Sequence, residues 1–593
     1  MIKIGNLIDL KRNSIEKKLI VFLMLIVFIV HVSNFFDLSI FSVLDDEFGY
    51  WGNAAYFAGY DWSNTISEIP FYSYGYSLIL TPLFLIFKSP IIMYRAAIIL
   101  NGIMMSISFL LCYAILKKMT MNVDNILLAF VSVFIVMYPT YIVYSSIAWS
   151  ESLLIMSCWL LAWCFAVLDE QSGNFKFMFI GFLSAFIYVV HQRTLGIVIA
   201  SVMVVLMMTL TKRIKLKQLM IVVLIIMIIL IADVYMKNNL KDNLWSYDNG
   251  NLTNDYSSQV VKIEKIFTMK GIFEFFGVLG GHLFYVGASS YLLSYFGLFE
   301  LLQSVVKKVS NAIRTKEFSM KYNGNVFDVH LFLLMAFGLT ILINSIFMIN
   351  PIRIDHIVYG RYIDVLNGEL ILFGFARLLK GKSELSHWFY TVILVFIVGF
   401  GIAAYSIGSS NLTSFHIVQS VGVFSYSRKF GLVFPALIAI LVSRFIFLTF
   451  SNESKKMMTV CLIFITVIGV IIGKSLVYKI VEINQSTMEI VKIVEILETT
   501  DKKIPIFFLW NDQIDPNYEK WDNKNTVTRL IVDCYQFLLM DRSVYLVNAE
   551  ELASITEDKY IITTGSLVDS GKLDEYEYCY SSFNNYLYRS LSK

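Results

Sequence analysis

The chain has 593 residues, 57% hydrophobic and only 16% charged, with a net charge of +3 and a mean hydropathy of +0.66. Soluble proteins carry about 25% charged residues, and a soluble chain this long divides into domains whose surfaces need them. The apolar residues instead fall in blocks of about 20, the length of a membrane-crossing helix, so a soluble enzyme, a disordered chain and a secreted disulfide scaffold are excluded as descriptions of the whole; the small net charge gives no reason to expect a nucleic-acid partner.

The N-terminus is basic, with Lys3, Lys11, Arg12, Lys17 and Lys18 ahead of an apolar run over 19–36. The run is too long for a signal peptide and no small-x-small site follows it, so it reads as a retained first span with a cytoplasmic N-terminus. An outside loop over 37–90 comes next. Within it, 74–87 is apolar but short and is interrupted by Gly75 and Pro82, which suits an interfacial or re-entrant helix. Further spans are expected near 91–116, 124–144, 150–168, 177–190, 195–210, 218–236, 277–303, 327–349, 363–379, 388–406, 430–449 and 457–478, about 13 in all. With this count, inside segments hold roughly twice the basic residues of the outside loops, the bias a correct topology shows. The fold class is thus an α-helical polytopic membrane protein with a transmembrane domain over 1–480.

The tail over 481–593 is then outside. It reads as a separate small α/β domain with a helix at 488–497, a buried strand at 504–510, a helix at 527–539 and strands at 543–547 and 560–563. It has no Gly-rich phosphate loop and no nucleophile elbow, so its expected role is structural or acceptor-recognising. Cys112, Cys158, Cys164 and Cys461 lie in apolar blocks as core residues, and Cys534 and Cys579 share the tail. Asn251 and Asn411 begin N-x-T sequences in outside loops.

Chemistry concentrates in the first outside loop. Asp45, Asp46 and Glu47 are consecutive carboxylates among aromatic residues, followed by Tyr50 and Trp51. Repulsion and desolvation raise at least one pKa in such a group, and a tuned carboxylate suits a general base acting on a hydroxyl. The same residues also read as a solvated loop that caps a helix starting near Phe48. The aromatics, Tyr76 among them, suit either a membrane-interface belt or a sugar platform. Charges at the outer boundary form a second group: Arg95, Glu151 at the start of the fourth span, His191-Gln192-Arg193-Thr194 in a short turn, and Arg353, His356, Tyr359 and Arg361 before the tenth. Arg holds phosphate through a planar fork of donors; alternatively these residues snorkel to headgroups or pair with Asp355 and Asp364.

In order, Asp46-Glu47 with Tyr50 and Ala54, the stretch Pro70 to Pro82, Arg95, Tyr138-Pro139 and Ser150-Glu151 resemble the GT-C glycosyltransferases. The nearest branch is that of the protein O-mannosyltransferases and the lipid A aminoarabinose transferases. The resemblance is closest over 20–200 and rests on architecture beyond. It implies a transferase that takes a sugar from a polyprenyl-phosphate carrier and delivers it to a glycan, lipid or protein acceptor at the outer face of the cell membrane. It implies Asp46 as the base with Glu47 beside it. Arg193, Arg361 and Arg95 are implied as donor-phosphate ligands, and Asp45, Tyr50, Trp51, Tyr76, Glu151 and His356 as lining of the substrate cavity. Several relatives also hold a divalent metal through a first-loop Glu and a later His; by position these are Glu68 and His282, although Ile69 follows Glu68 where the relatives carry a basic residue. Two other classes stay open: a ligase or polymerase using diphosphate-linked glycans, whose key residues lie in late outside loops, and a lipid-linked glycan transporter, which needs charges at mid-membrane. His31 and Asp233 lie within spans, but near their outer halves.

Overall fold

The computed structural model describes residues 14–67, 69–120, 123–168, 172–245, 260–315, 326–349, 354–380, 385–408, 431–451, 454–510, 524–564, 573–582 and 584–590. The helices follow in chain order. α1 (Ser14–Val32) leads into the loop helices α2 (Leu44–Phe57), α3 (Ser63–Ile66) and α4 (Ser77–Ile86). Then come α5 (Pro90–Met119), α6 (Asn125–Val136), α7 (Pro139–Ser145), α8 (Glu151–Ala166), α9 (Asn174–Val190), α10 (Leu195–Leu210) and α11 (Leu216–Asn243). α12 (Val260–Ile266), α13 (Met269–Ser289), α14 (Leu293–Thr315), α15 (Phe327–Phe347), α16 (Asp364–Leu378), α17 (Leu385–Ile407), α18 (Val433–Ser451) and α19 (Lys455–Thr487) complete the bundle. Local signals set several starts: Asp124 caps α6 by accepting from the Ile126 amide at 2.8 Å, Ser454 caps α19, and Pro90 and Pro139 occupy first turns.

Among the described residues, 8 helices are long and apolar enough to cross a membrane, or 9 if α6 and α7, bent by 60°, form one span. The count of about 13 from hydropathy is larger because α8, α9 and α16, at 16, 17 and 15 residues, are short, and because α1 carries Glu16, Lys17 and Lys18 in its first turns. One expected span is redrawn. The apolar run over 277–303 is two helices, α13 and α14, broken where Tyr291 and Leu292 take φ of 52° and 62°. Two bulky residues in the left-handed region cost on the order of 1–3 kcal/mol each and persist only where packing fixes them; both side chains are buried. Continuous hydropathy hides such a break.

The tail folds as α20 (Val491–Glu498), β1 (Ile506–Leu509), α21 (Lys524–Leu538), β2 (Val544–Val547), α22 (Ala549–Ser554), β3 (Lys559–Thr564), β4 (Glu577–Ser582) and β5 (Asn585–Ser590). The sheet order is β2-β1-β3-β5-β4, with β1 parallel to β2 and β3, and β5 antiparallel to β3 and β4. The β4–β5 hairpin is additional to the sequence reading. The tail does not stand apart. α19 runs unbroken through residue 480, and α21 packs on α2. Phe537 lies 4.6 Å from Phe41 and 5.0 Å from Trp51. Trp62 Nε1 donates to the Met540 carbonyl and Thr65 Oγ1 to the Val544 carbonyl, each at 2.8 Å. The first loop is thereby held between the bundle and the sheet.

Candidate functional site

Four elements deliver charge to one place. α2 begins at Leu44, so Asp45, Asp46 and Glu47 lie in its first turn, where the helix dipole favours carboxylates. This is earlier than the start near Phe48 expected from sequence, and Val43 provides no side-chain cap. α8 opens with Glu151, the 3-10 turn Gln192–Thr194 carries Arg193, and the turn before α16 carries Arg361. Gly360 lets that turn pack under Tyr285, since a Cβ there would lie 1.8 Å from the Tyr285 ring.

Arg361 joins the two acids. Its Nη1 donates to Asp46 Oδ2, and its Nε donates to Glu151 Oε1 at 2.5 Å. Arg193 Nη2 donates to the same Glu151 oxygen at 2.9 Å. The Tyr72 hydroxyl donates to Asp46 Oδ1 at 2.5 Å. Aromatic faces complete the walls: the Arg361 guanidinium lies 4.0 Å from the Trp149 ring centre and that of Arg193 4.8 Å from Tyr362. Tyr50, fully buried, shares a 2.9 Å hydrogen bond with Ser150, beside Glu151. Arg193 Nε and Nη1 are buried and have no partner among the described residues. Asp46 is the open member, with 24% of its side chain exposed. Burial pushes its carboxyl up, but Arg361, the Tyr72 hydroxyl and the more distant Arg193 outweigh that and hold it below the usual carboxylate range. A buried ionic cluster is a poor source of stability and a common mark of a functional site.

Glu47 belongs elsewhere. Its Oε2 accepts from the Ser42 and Val43 amides, both at 2.8 Å, and its Oε1 from Tyr94 Oη at 2.6 Å and the Ala148 amide at 3.0 Å. The first two bonds close the turn that leads into α2, and the other two tie the start of α2 to α5 and to the turn before α8. Burial pushes this carboxyl up to about 7 against those four donors. Because the folded-state pKa is raised, the fold tolerates the neutral acid best and loses stability as pH climbs from the ordinary 4.5 toward 7. Glu47→Ala strands four donors and is expected to cost on the order of 3 kcal/mol, measured as a fall in thermal midpoint, and to flatten stability over that pH window.

Other expected residues are placed as follows. Trp51 is fully buried in the aromatic contact between the first loop and α21, so it is not a sugar platform. Tyr76 is likewise interior, donating to Asn101 Oδ1 at 3.2 Å. Asp45 is buried next to Asp46 on α2, and His356 is half-buried with its ring 5.6 Å from Tyr359. Arg95 donates to the Phe36 and Leu38 carbonyls and to Ser39 Oγ, and no contact among the described residues joins it to the cluster. Glu68 and Arg353 lie outside the described residues, as do Asn251 and Asn411. His282 is buried, with Nδ1 3.4 Å from Ser345 Oγ and Nε2 unpartnered among the described residues. Among the described residues no three His, Cys, Asp or Glu come together to hold a metal, and Glu68, the other half of the expected pair, lies outside them.

The structure adds residues that sequence reasoning passed over. From sequence Asp364 reads only as a partner for arginine; in the structure its carboxylate accepts from Tyr144 Oη at 2.8 Å and Tyr285 Oη at 2.9 Å. This pins α7 and α13 to the start of α16, directly after Arg361. Glu369, one turn on, is fully buried, with neither carboxylate oxygen partnered among the described residues. An acid inside an apolar block was the available signal for both.

No protein-family model and no curated protein sequence matches the chain. Its structure is similar to that of ArnT from Cupriavidus metallidurans in the apo state, at 10% identity and a TM-score of 0.51 over 98% of this chain and 99% of that one. ArnT from the same organism bound to undecaprenyl phosphate matches at 10% identity and 0.49, over 96% and 97% of the two chains. Archaeal oligosaccharyltransferase AglB from Archaeoglobus fulgidus, in complex with an inhibitory peptide and a dolichol-phosphate, matches at 9% and 0.40, over 97% of this chain and 74% of that one. The last two scores are too low to carry weight. The first, with both chains covered almost end to end, shows that this chain shares the fold of ArnT.

Proposed function

We propose that this chain, built on the GT-C fold, is a membrane glycosyltransferase. It moves a sugar from a polyprenyl-phosphate carrier to an acceptor hydroxyl at the outer face, in the synthesis or modification of cell-envelope glycans. About 13 spans, a cytoplasmic N-terminus and an outside tail belong to this reading, on the Lys/Arg bias. The observation that carries it is the cluster itself: two guanidiniums shared between two carboxylates, with Arg193 Nε and Nη1 left over.

A donor phosphate takes up those spare N–H groups and competes with Asp46 for Arg361. Asp46, released from its ion pair, becomes more basic and accepts the proton of the acceptor hydroxyl. The acceptor oxygen bonds to the anomeric carbon as the bond from that carbon to the phosphate oxygen breaks. The carrier leaves as the lipid phosphate, gaining one negative charge, which the two guanidiniums stabilise in place before the reaction begins. One base and one displacement invert the anomeric centre. Glu151 keeps both arginines aimed, and Glu47 with Tyr94 holds α2 rather than moving a proton. No step is routed through a metal.

The test supplies purified protein with a panel of radiolabelled polyprenyl-monophosphate sugars and a membrane glycan extract. Consumption of a monophosphate donor is expected. Consumption of a diphosphate-linked oligosaccharide with every monophosphate donor left intact would overturn the reading in favour of a ligase or polymerase.

A further inference from the structure

Two cations donate to the segment that follows α1, Lys474 to its first residues and Arg95 to those just beyond, away from the carboxylate cluster. Arg95, in the second turn of α5, donates from Nη2 to the Phe36 carbonyl at 2.6 Å and to Ser39 Oγ at 3.0 Å, and from Nε to the Leu38 carbonyl at 3.3 Å. All three acceptors are neutral, and Nη1 takes no protein partner among the described residues. Lys474 of α19 reaches the same turn, donating to Asn34 Oδ1 at 2.8 Å and to Ser33 Oγ. Neither cation has a carboxylate partner among the described residues. Asp37, on the turn, is exposed and forms no ion pair there with either. A charge at a membrane boundary without a counter-ion is costly, so a pair of them asks what neutralises it.

The surroundings identify the occupant. On α1, Leu25 and Ile29 are exposed and lead, four residues at a time, to Ser33. On α19, Val467 and Ile471 are exposed and lead at helical spacing to Lys474. Two lipid-facing stripes therefore converge where the lysine meets the turn. Phe36, 69% exposed, stands beside the carbonyl that Arg95 holds. Basic side chains flanked by exposed apolar residues suit the membrane boundary, where they reach lipid headgroups.

We propose that Arg95 and Lys474 form a binding site for the phosphate headgroup of an anionic phospholipid in the leaflet that borders the first loop, with its acyl chains lying along the α1 and α19 stripes. This replaces the donor-phosphate role that sequence suggested for Arg95. The bound headgroup ties α5 and α19 to the turn. Beyond that turn, Asn484 of α19 accepts from the Ser39 amide and donates to the Ile40 carbonyl, and the chain enters α2 and Asp46 within a few residues. Lipid at this site therefore stiffens the approach to the cluster, and it stimulates transfer if the proposed function holds.

Binding is tested without reference to transfer. Full-length protein, delipidated in detergent, is titrated with phosphatidylglycerol or phosphatidylcholine under native mass spectrometry, alone and with inorganic phosphate as competitor. Wild type retains phosphatidylglycerol in preference to phosphatidylcholine, and inorganic phosphate does not displace it. Each cation removed, in Arg95→Gln or Lys474→Gln, lowers phosphatidylglycerol retention by roughly fivefold, while the charge-keeping Lys474→Arg restores most of it in a protein with an unchanged thermal midpoint. Equal retention by wild type and the double variant overturns the site, as does equal retention of the two lipids. Displacement by inorganic phosphate overturns the lipid identity. Donor consumption in phosphatidylglycerol and phosphatidylcholine nanodiscs then reads the stimulation, and its failure alone leaves the site standing.

Discussion

Asp46→Asn is expected to lower kcat for sugar transfer by about 10²–10⁴-fold and to leave donor binding within a few-fold of wild type. The asymmetry follows from the placement of Asp46. Of the two acids shared by Arg361, Glu151 is fully buried and Asp46 is partly open, so in the proposed mechanism Asp46 is the one that meets the acceptor hydroxyl. The asparagine keeps an oxygen for the Tyr72 hydroxyl but has no basic lone pair left for a proton. Arg193 still holds Glu151 at 2.9 Å, and the phosphate donors remain in place. Single-turnover transfer with a monophosphate donor, alongside a thermal melt to show the variant is folded, checks this. Undiminished transfer by a folded Asp46→Asn protein would remove the base from the mechanism.

What the sequence made legible is what one-dimensional patterns carry. Hydropathy exposed the bundle, and the acid cluster beyond the first span exposed Asp46. The Arg-bearing turns exposed Arg193 and Arg361, which the fold joins to Glu151 across 42 and 210 residues. Pairing at such separation cannot be read from spacing, so Arg95, equally basic and equally near the boundary, looked like a third phosphate ligand until its carbonyl partners were seen. Trp51 misled for a related reason. An aromatic after a loop acid suits a sugar platform, but burial is decided by what packs on it, and that is Phe537, 486 positions later in the chain. The α13–α14 break was invisible because Tyr291 and Leu292 give no glycine or proline signal; tertiary packing holds them at positive φ against local preference. Glu47 beside Asp46 shows the limit most sharply. Adjacent residues on one helix turn point to different partners, and four donors take one carboxylate out of solvent while the other stays at the cluster.

Arg361→Gln is expected to have the second largest effect, and one that a merely structural arginine would not produce. In the proposed mechanism its removal takes away a donor to the leaving phosphate, worth about 10²–10³-fold in kcat. It also removes the main influence that holds the Asp46 carboxyl down. The sign is fixed by the order of influences on Asp46: burial raises its pKa, and Arg361 is the largest of the groups opposing it. Without Arg361, burial prevails and the carboxyl protonates more readily. The acid limb of the pH profile of kcat/KM therefore moves toward neutral pH. Arg361→Lys keeps the charge but loses the fork that spans Asp46 and Glu151, so it should restore much of the limb position while recovering little of kcat. This separates the two roles of Arg361, its charge setting the base and its geometry holding the phosphate. An acid limb that stays put in Arg361→Gln, in a protein that still binds donor, would mean that the proton leaves through a group other than Asp46.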